Sequence, residues 1–128
     1  MADHEELNIS SIVGSSLCVA ASDGQKVFAE IEDAIRSGKC VCLSFQGVDD
    51  LTSAFLNSAV GQLYGKYSEQ EIKAKLSIKE DSAAPEDLRL LKRVTDRAKD
   101  FFKNPDRFKV AAKKALGDDY GGFRITMH

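Results

Sequence analysis

Two hydroxyls, Thr52 and Ser53, follow two carboxylates, Asp49 and Asp50, just where an apolar run gives way to helical periodicity. A hydroxyl at that point can cap the helix. A phosphate there would also be stabilised by the free amide N–H groups and the helix dipole. The pair therefore reads either as a plain N-cap or as a phosphoacceptor. Asp49 and Asp50 supply the hard oxygens that Mg²⁺ prefers, yet adjacent acids in a turn more often serve as caps and solubilising charge, so no metal is expected. Cys40 and Cys42 flank Val41 and would share one face of a strand. A zinc site would need two further ligands, and the two histidines are His4 and His128. Buried, inert thiols are the expectation. Neither a Ser/His/Asp nor a Cys/His arrangement can be assembled from such histidines. The sequence also lacks a phosphate-binding glycine loop and a dinucleotide-binding turn. No enzymatic activity and no cofactor are expected.

The elements that must position these residues follow from periodicity. Leu7–Val13 and Leu17–Ala20 read as a β-hairpin or as two short strands, with Gly14–Ser16 as the turn. Ser22 or Asp23 suits a helix cap, and Val27, Phe28, Ile31, Ala34 and Ile35 give one apolar face up to Arg36, with Gly38 ending the helix. Cys40–Phe45 is short and almost continuously apolar, the pattern of a central strand covered on both faces. Phe55, Leu56, Ala59, Val60, Leu63, Tyr64 and Tyr67 predict one helix after the polar loop, and Gly61 and Gly65 within it predict a close backbone contact. A short helical turn at Glu69–Ala74 and an edge strand at Leu76–Lys79 come next. Pro85 opens a helix with Leu88, Leu91, Thr95, Ala98 and Phe102 on one seam. Asn104-Pro105 breaks it, and a final helix is expected at Asp106–Leu116, followed by a tail. Strands alternating with helices imply an α/β fold, a mixed sheet packed by helices.

The 128 residues fit a single domain, residues 1–128, with a core over about 7–103 and a C-terminal helix and tail at 104–128. Hydrophobic residues make up 43% and charged residues 30%, ordinary for a globular protein. No apolar run approaches the roughly 18 residues that span a bilayer, and the opening MADHEELN is acidic and polar, unlike a secretory signal. Cytoplasmic residence without membrane association is the expectation. The net charge of −2 argues against a chain that coats nucleic acid. Charge is uneven, however. Residues 1–84 hold 7 Lys and Arg against 13 Asp and Glu, and residues 85–128 hold 11 against 7. The basic C-terminal helices supply an alternative reading as a nucleic-acid-associated regulator.

The stretch VCLSFQGVDDLTSAFLNSAVGQLYGKY, residues 41–67, resembles the STAS domain of sulfate transporters and anti-sigma factor antagonists, and more closely the bacterial STAS-like family of uncharacterised function. The run LSFQGV, the polar loop, T-S-A-F-L-N at a helix head and LLKRVTDRAKDFF at residues 90–102 carry the resemblance, over roughly residues 11–103. It implies a mixed four- or five-stranded sheet with helices mainly on one face and extra C-terminal helices. It also implies regulation by binding. A protein partner, in anti-sigma antagonists a histidine-kinase-like ATPase that phosphorylates a serine, docks at the strand–helix junction. Family members sit near such ATPases, in bacterial or prophage regulatory loci. Transferred to this chain, the contact residues are Asp49, Asp50, Thr52, Ser53 and Asn57. The STAS phosphoacceptor motif D-S-S/T-G aligns with Thr52-Ser53-Ala54-Phe55, so the acceptor hydroxyl becomes Ser53 or Thr52 after a one-residue shift. Strand addition at Leu76–Lys79 would support a homodimer.

Overall fold

The computed structural model describes residues 3–103. Five strands and five α-helices appear in the order β1 (His4–Asn8), α1 (Ile9–Val13), β2 (Leu17–Cys18), α2 (Ala21–Arg36), β3 (Cys40–Ser44), β4 (Asp50–Leu51), α3 (Ser53–Ala59), α4 (Glu69–Lys75), β5 (Leu76–Ile78) and α5 (Pro85–Lys103), with 3₁₀ turns at Gly61–Gly65 and Glu80–Ser82. The sheet is not mixed. All three ladders are parallel: β1 with β3, β3 with β5, and β2 with β4, giving one sheet of three strands and a separate one of two. Parallel neighbours require crossovers, and α2 and the α3–α4 segment supply them.

Of the two N-terminal alternatives, the hairpin does not form: β1 and β2 are separate short strands in different sheets. β1 ends at Asn8, whose side chain accepts from the Ser11 N–H and starts the single-turn helix α1. Gly14, at φ 79°, ends that helix and donates its N–H to the Ser10 carbonyl. Residues 9–13, read as strand, are thus helical because a local Asn cap outweighs their β-branched composition. The second expected strand shortens to two residues, and it pairs with β4 rather than with β1.

β3 lies at the centre of its sheet and β5 at an edge, as periodicity indicated. Burial of β3 alternates, though. Val41 and Leu43 are buried with Leu7 of β1, while Cys40 and Cys42 are only half-buried. In register, Cys42 is flanked by Glu6 and Ser77, both exposed. The near-continuous apolar run therefore covers one face only, and the cysteine face is neither sealed nor inert by burial. Cys18 is the thiol that is fully buried.

The core joins Leu7, Val41 and Leu43 to Val27 and Ile31 of α2, Phe55 and Leu56 of α3, Leu63, Ile72 and Val94. Burying each such side chain contributes about 1.5–3 kcal/mol. α2 begins at Ala21, capped by Ala20 without a side-chain bond, so neither Ser22 nor Asp23 caps it. The helix expected from Phe55 to Tyr67 breaks at Val60, and Gly61–Gly65 tightens into a 3₁₀ helix. This turn packs on α5: a methyl on Gly61 would lie 3.6 Å from Ala98 Cβ, and one on Gly65 would lie 2.7 Å from the Phe102 ring. A methyl on Gly61 would meet Asn57 Oδ1 of α3 still closer, at 2.6 Å, so the close contacts of the two glycines are with side chains, of α3 at Gly61 and of α5 at Gly65, and not, as expected, with backbone. Ser68 and Glu71 form a capping box for α4, and α5 starts at Pro85. The helix expected at Asp106–Leu116 and the tail lie outside the described residues.

Candidate functional site

The loop between β3 and α3 is pinned from beneath by backbone and hydroxyl groups. Ser10 Oγ and Asn8 Nδ2 donate to the Gln46 carbonyl at 2.9 and 3.2 Å, and the next residue, Gly47, turns at φ 87°. A side chain on Gly47 would be strained by that φ and would meet Ser10 Oγ at 2.8 Å. The N–H groups of Asp49 and Asp50 donate to the Ser16 carbonyl at 2.9 and 3.2 Å, and the Thr52 N–H donates to that of Cys18 at 3.3 Å. The acidic pair is therefore tied through its backbone to β2, and both side chains are left exposed. Neither carboxylate has a cationic partner among the described residues. Two like charges so close along the chain repel.

The two hydroxyls have different roles. Thr52 is the N-cap of α3: its Oγ1 accepts from the Phe55 N–H at 3.2 Å and donates to the Val19 carbonyl at 2.7 Å. One side chain thus joins α3 to the strand before α2. Ser53, the first residue of α3, is exposed, and its hydroxyl has no partner among the described residues. Asn57 lies one turn further along α3, also exposed, and lines an open groove of about 760 Å³ with Gln25, Phe28, Lys66 and Phe102. The structure therefore brings Asp49, Asp50, Thr52 and Ser53 together, and places Asn57 at the far end of the same short helix.

The helix is held at close range by α2. A methyl on Gly24 would lie 2.5 Å from the Phe55 carbonyl oxygen and 2.8 Å from Ser58 Cβ, so the two helices touch where only hydrogen fits. Further along, Glu32 is the one charged side chain that is buried among the described residues. It accepts from Lys66 Nζ at 3.0 and 3.2 Å, from Arg36 at 3.1 Å and from the Tyr67 hydroxyl at 3.4 Å. The Lys66 hydrogen bond leads in holding its carboxyl below the usual range. This cluster ties α2 to the chain that follows the 3₁₀ turn.

Residues 23–84 match the STAS-like domain of unknown function. No curated protein and no solved structure matches the chain. The match is narrower than the resemblance read from the sequence, since the helix at residues 90–102 and everything before Asp23 fall outside it. The matched segment holds nearly all of α2 together with β3, the acidic loop and α3, while β1, α1, β2 and α5 lie outside it.

Sequence reasoning missed three features of the site. Gly24 falls on the apolar stripe of α2 with Val27, Ile31 and Ile35, and a glycine on such a stripe is itself the signal of a close helix contact. The partners of Glu32 lie 34 and 35 residues away in Lys66 and Tyr67, which no local pattern shows. Leu17 and Val19 beside the loop are exposed, which a short apolar run does not announce. Burial holds the Cys18 thiol above its ordinary range, with nearby Asp23 adding to this. Among the described residues, no three His, Cys, Asp or Glu side chains converge as a metal site would require, and no helix is long and apolar enough to cross a membrane.

Proposed function

We propose that this chain is a non-enzymatic, cytoplasmic regulatory module whose STAS-like segment docks a protein partner at the β4–α3 junction, the partner being a histidine-kinase-like ATPase. One observation carries the reading. Asp49, Asp50, Ser53 and Asn57 all stand exposed on a backbone that is fixed by Ser10, Ser16, Thr52 and Gly24. Polar side chains presented from a rigid frame lose little entropy when a partner covers them. Ser53 is the hydroxyl free to accept phosphate, because that of Thr52 is engaged on both sides. A phosphate at Ser53 would add negative charge beside Asp49 and Asp50 and so change the charge that a docking partner meets. The test is affinity capture from the native host with wild-type protein and with the charge-reversed D50K/S53R variant, coupled to mass spectrometry at Thr52 and Ser53. A captured ATPase that is lost with the variant supports the reading. Retention of every captured protein by the variant removes the docking surface.

A second reading draws on Arg89, Arg93 and Arg97, all exposed and spaced four residues apart along one face of α5. Guanidinium groups so arranged suit a phosphate backbone. A complex with DNA or RNA at low salt that weakens steeply as salt rises, and disappears in R89A/R93A/R97A, would establish it.

A further inference from the structure

We infer that the surface beside the acidic loop takes an apolar partner segment flanked by lysine or arginine, seated on Leu17 and Val19 with its cations against Asp49 and Asp50. This rests on the docking reading above and names the chemistry of the partner. Leu17 and Val19 are 50% and 42% exposed, and among the described residues they are the exposed large hydrophobic side chains. Cys18 between them is wholly buried, so the alternation of an extended chain turns both of its neighbours outward.

The apolar pair and the acidic pair are fixed against each other. Leu17 lies opposite Asp50 in the β2–β4 ladder, Ser16 receives the N–H groups of Asp49 and Asp50, and Thr52 grips the Val19 carbonyl. Such preorganisation lowers the cost of association. Charge selects the partner. Neither Asp49 nor Asp50 is ion-paired among the described residues, and Lys26 at the start of α2 is engaged 3.2 Å from Asp23. Two uncompensated carboxylates beside exposed aliphatic groups attract a cationic, apolar segment and repel an acidic one or a nucleic acid. β2 precedes the STAS-like match at Asp23, so the apolar half of this surface is supplied by sequence outside the family segment.

The probe is a hexapeptide of four valines flanked by a lysine at each end, with its glutamate-flanked counterpart as the control, titrated into the full isotope-labelled chain and followed by amide chemical shifts. The expected result is saturable change centred on residues 16–19 and 49–53 with the lysine peptide alone, weakening as salt rises. Leu17→Ser or Val19→Ser should each weaken binding roughly tenfold, from the loss of apolar contact, with the dispersion of the remaining spectrum unchanged. Equal response to both peptides, no change at these residues, or self-association of the free chain that Leu17→Ser abolishes would overturn the inference. If host capture of a partner is lost in D50K/S53R yet is indifferent to Leu17→Ser and Val19→Ser, the inference fails and the docking reading stands. If none of these substitutions matters, both fall.

Discussion

Replacing Thr52 by alanine removes two bonds at once. The Phe55 N–H loses its cap acceptor, which costs about 1 kcal/mol in typical helices. The Val19 carbonyl loses a donor at 2.7 Å, a bond worth about 0.5–1.5 kcal/mol, toward the lower figure here because Val19 is well exposed and water can replace the hydroxyl. The sum is about 1–2 kcal/mol, which for a chain of this length is a fall in Tm of roughly 4–8 °C. Urea unfolding followed by far-UV circular dichroism, at constant m-value, measures it. Thr52→Ser keeps both bonds and should stay within a few tenths of a kcal/mol of wild type, whereas isosteric Thr52→Val should behave like the alanine variant. An alanine variant as stable as wild type, or a serine variant as unstable as alanine, would refute the assignment of Thr52 as the brace between α3 and β2. The same geometry bears on regulation, since a kinase acting on the native junction should modify Ser53 and leave Thr52 untouched.

Other outcomes follow from the same contacts. Gly24→Ala gains about 1 kcal/mol of helix propensity but drives a methyl into the Phe55 carbonyl, and a net loss of about 1–2 kcal/mol in urea unfolding is expected, with Ser53 and Asn57 amide shifts displaced. Glu32→Gln has a signed pH dependence. The folded carboxyl titrates below its ordinary 4.5, so the advantage of wild type over the variant is full above that value and fades as pH falls through the lower folded value. Urea midpoints at about pH 7 and about pH 3 should therefore converge in acid, and a gap that widened there would contradict the ion cluster. Under native conditions iodoacetamide should label the half-buried Cys40 and Cys42 before Cys18, whose thiol is sealed and held protonated by burial. Peptide mapping that finds Cys18 first would show that β2 opens.

The amino-acid sequence by itself determined the elements whose signals are local. Helical spacing from Val27 to Ile35 announces α2, a cap at Ser68 ahead of the expected turn at Glu69–Ala74 announces α4, and Pro85 with its apolar seam announces α5. The central place of Cys40–Ser44 and the T-S head of α3 were equally legible, as was the STAS-like character of the segment. Tertiary structure decided what depends on partners far along the chain. Strand pairing is set by which edges meet after collapse, and so β1 finds β3 across a crossover instead of β2 across a turn. Burial of the second face of β3 is withheld by neighbours, Glu6 and Ser77, that share its register and not its sequence neighbourhood. The difference between Thr52 and Ser53, adjacent hydroxyls of nearly equal chemistry, arises because a carbonyl 33 residues earlier lies within 2.7 Å of one of them. Local periodicity reports the side that an element turns inward, while the groups that meet it there are fixed only once the chain has folded back on itself.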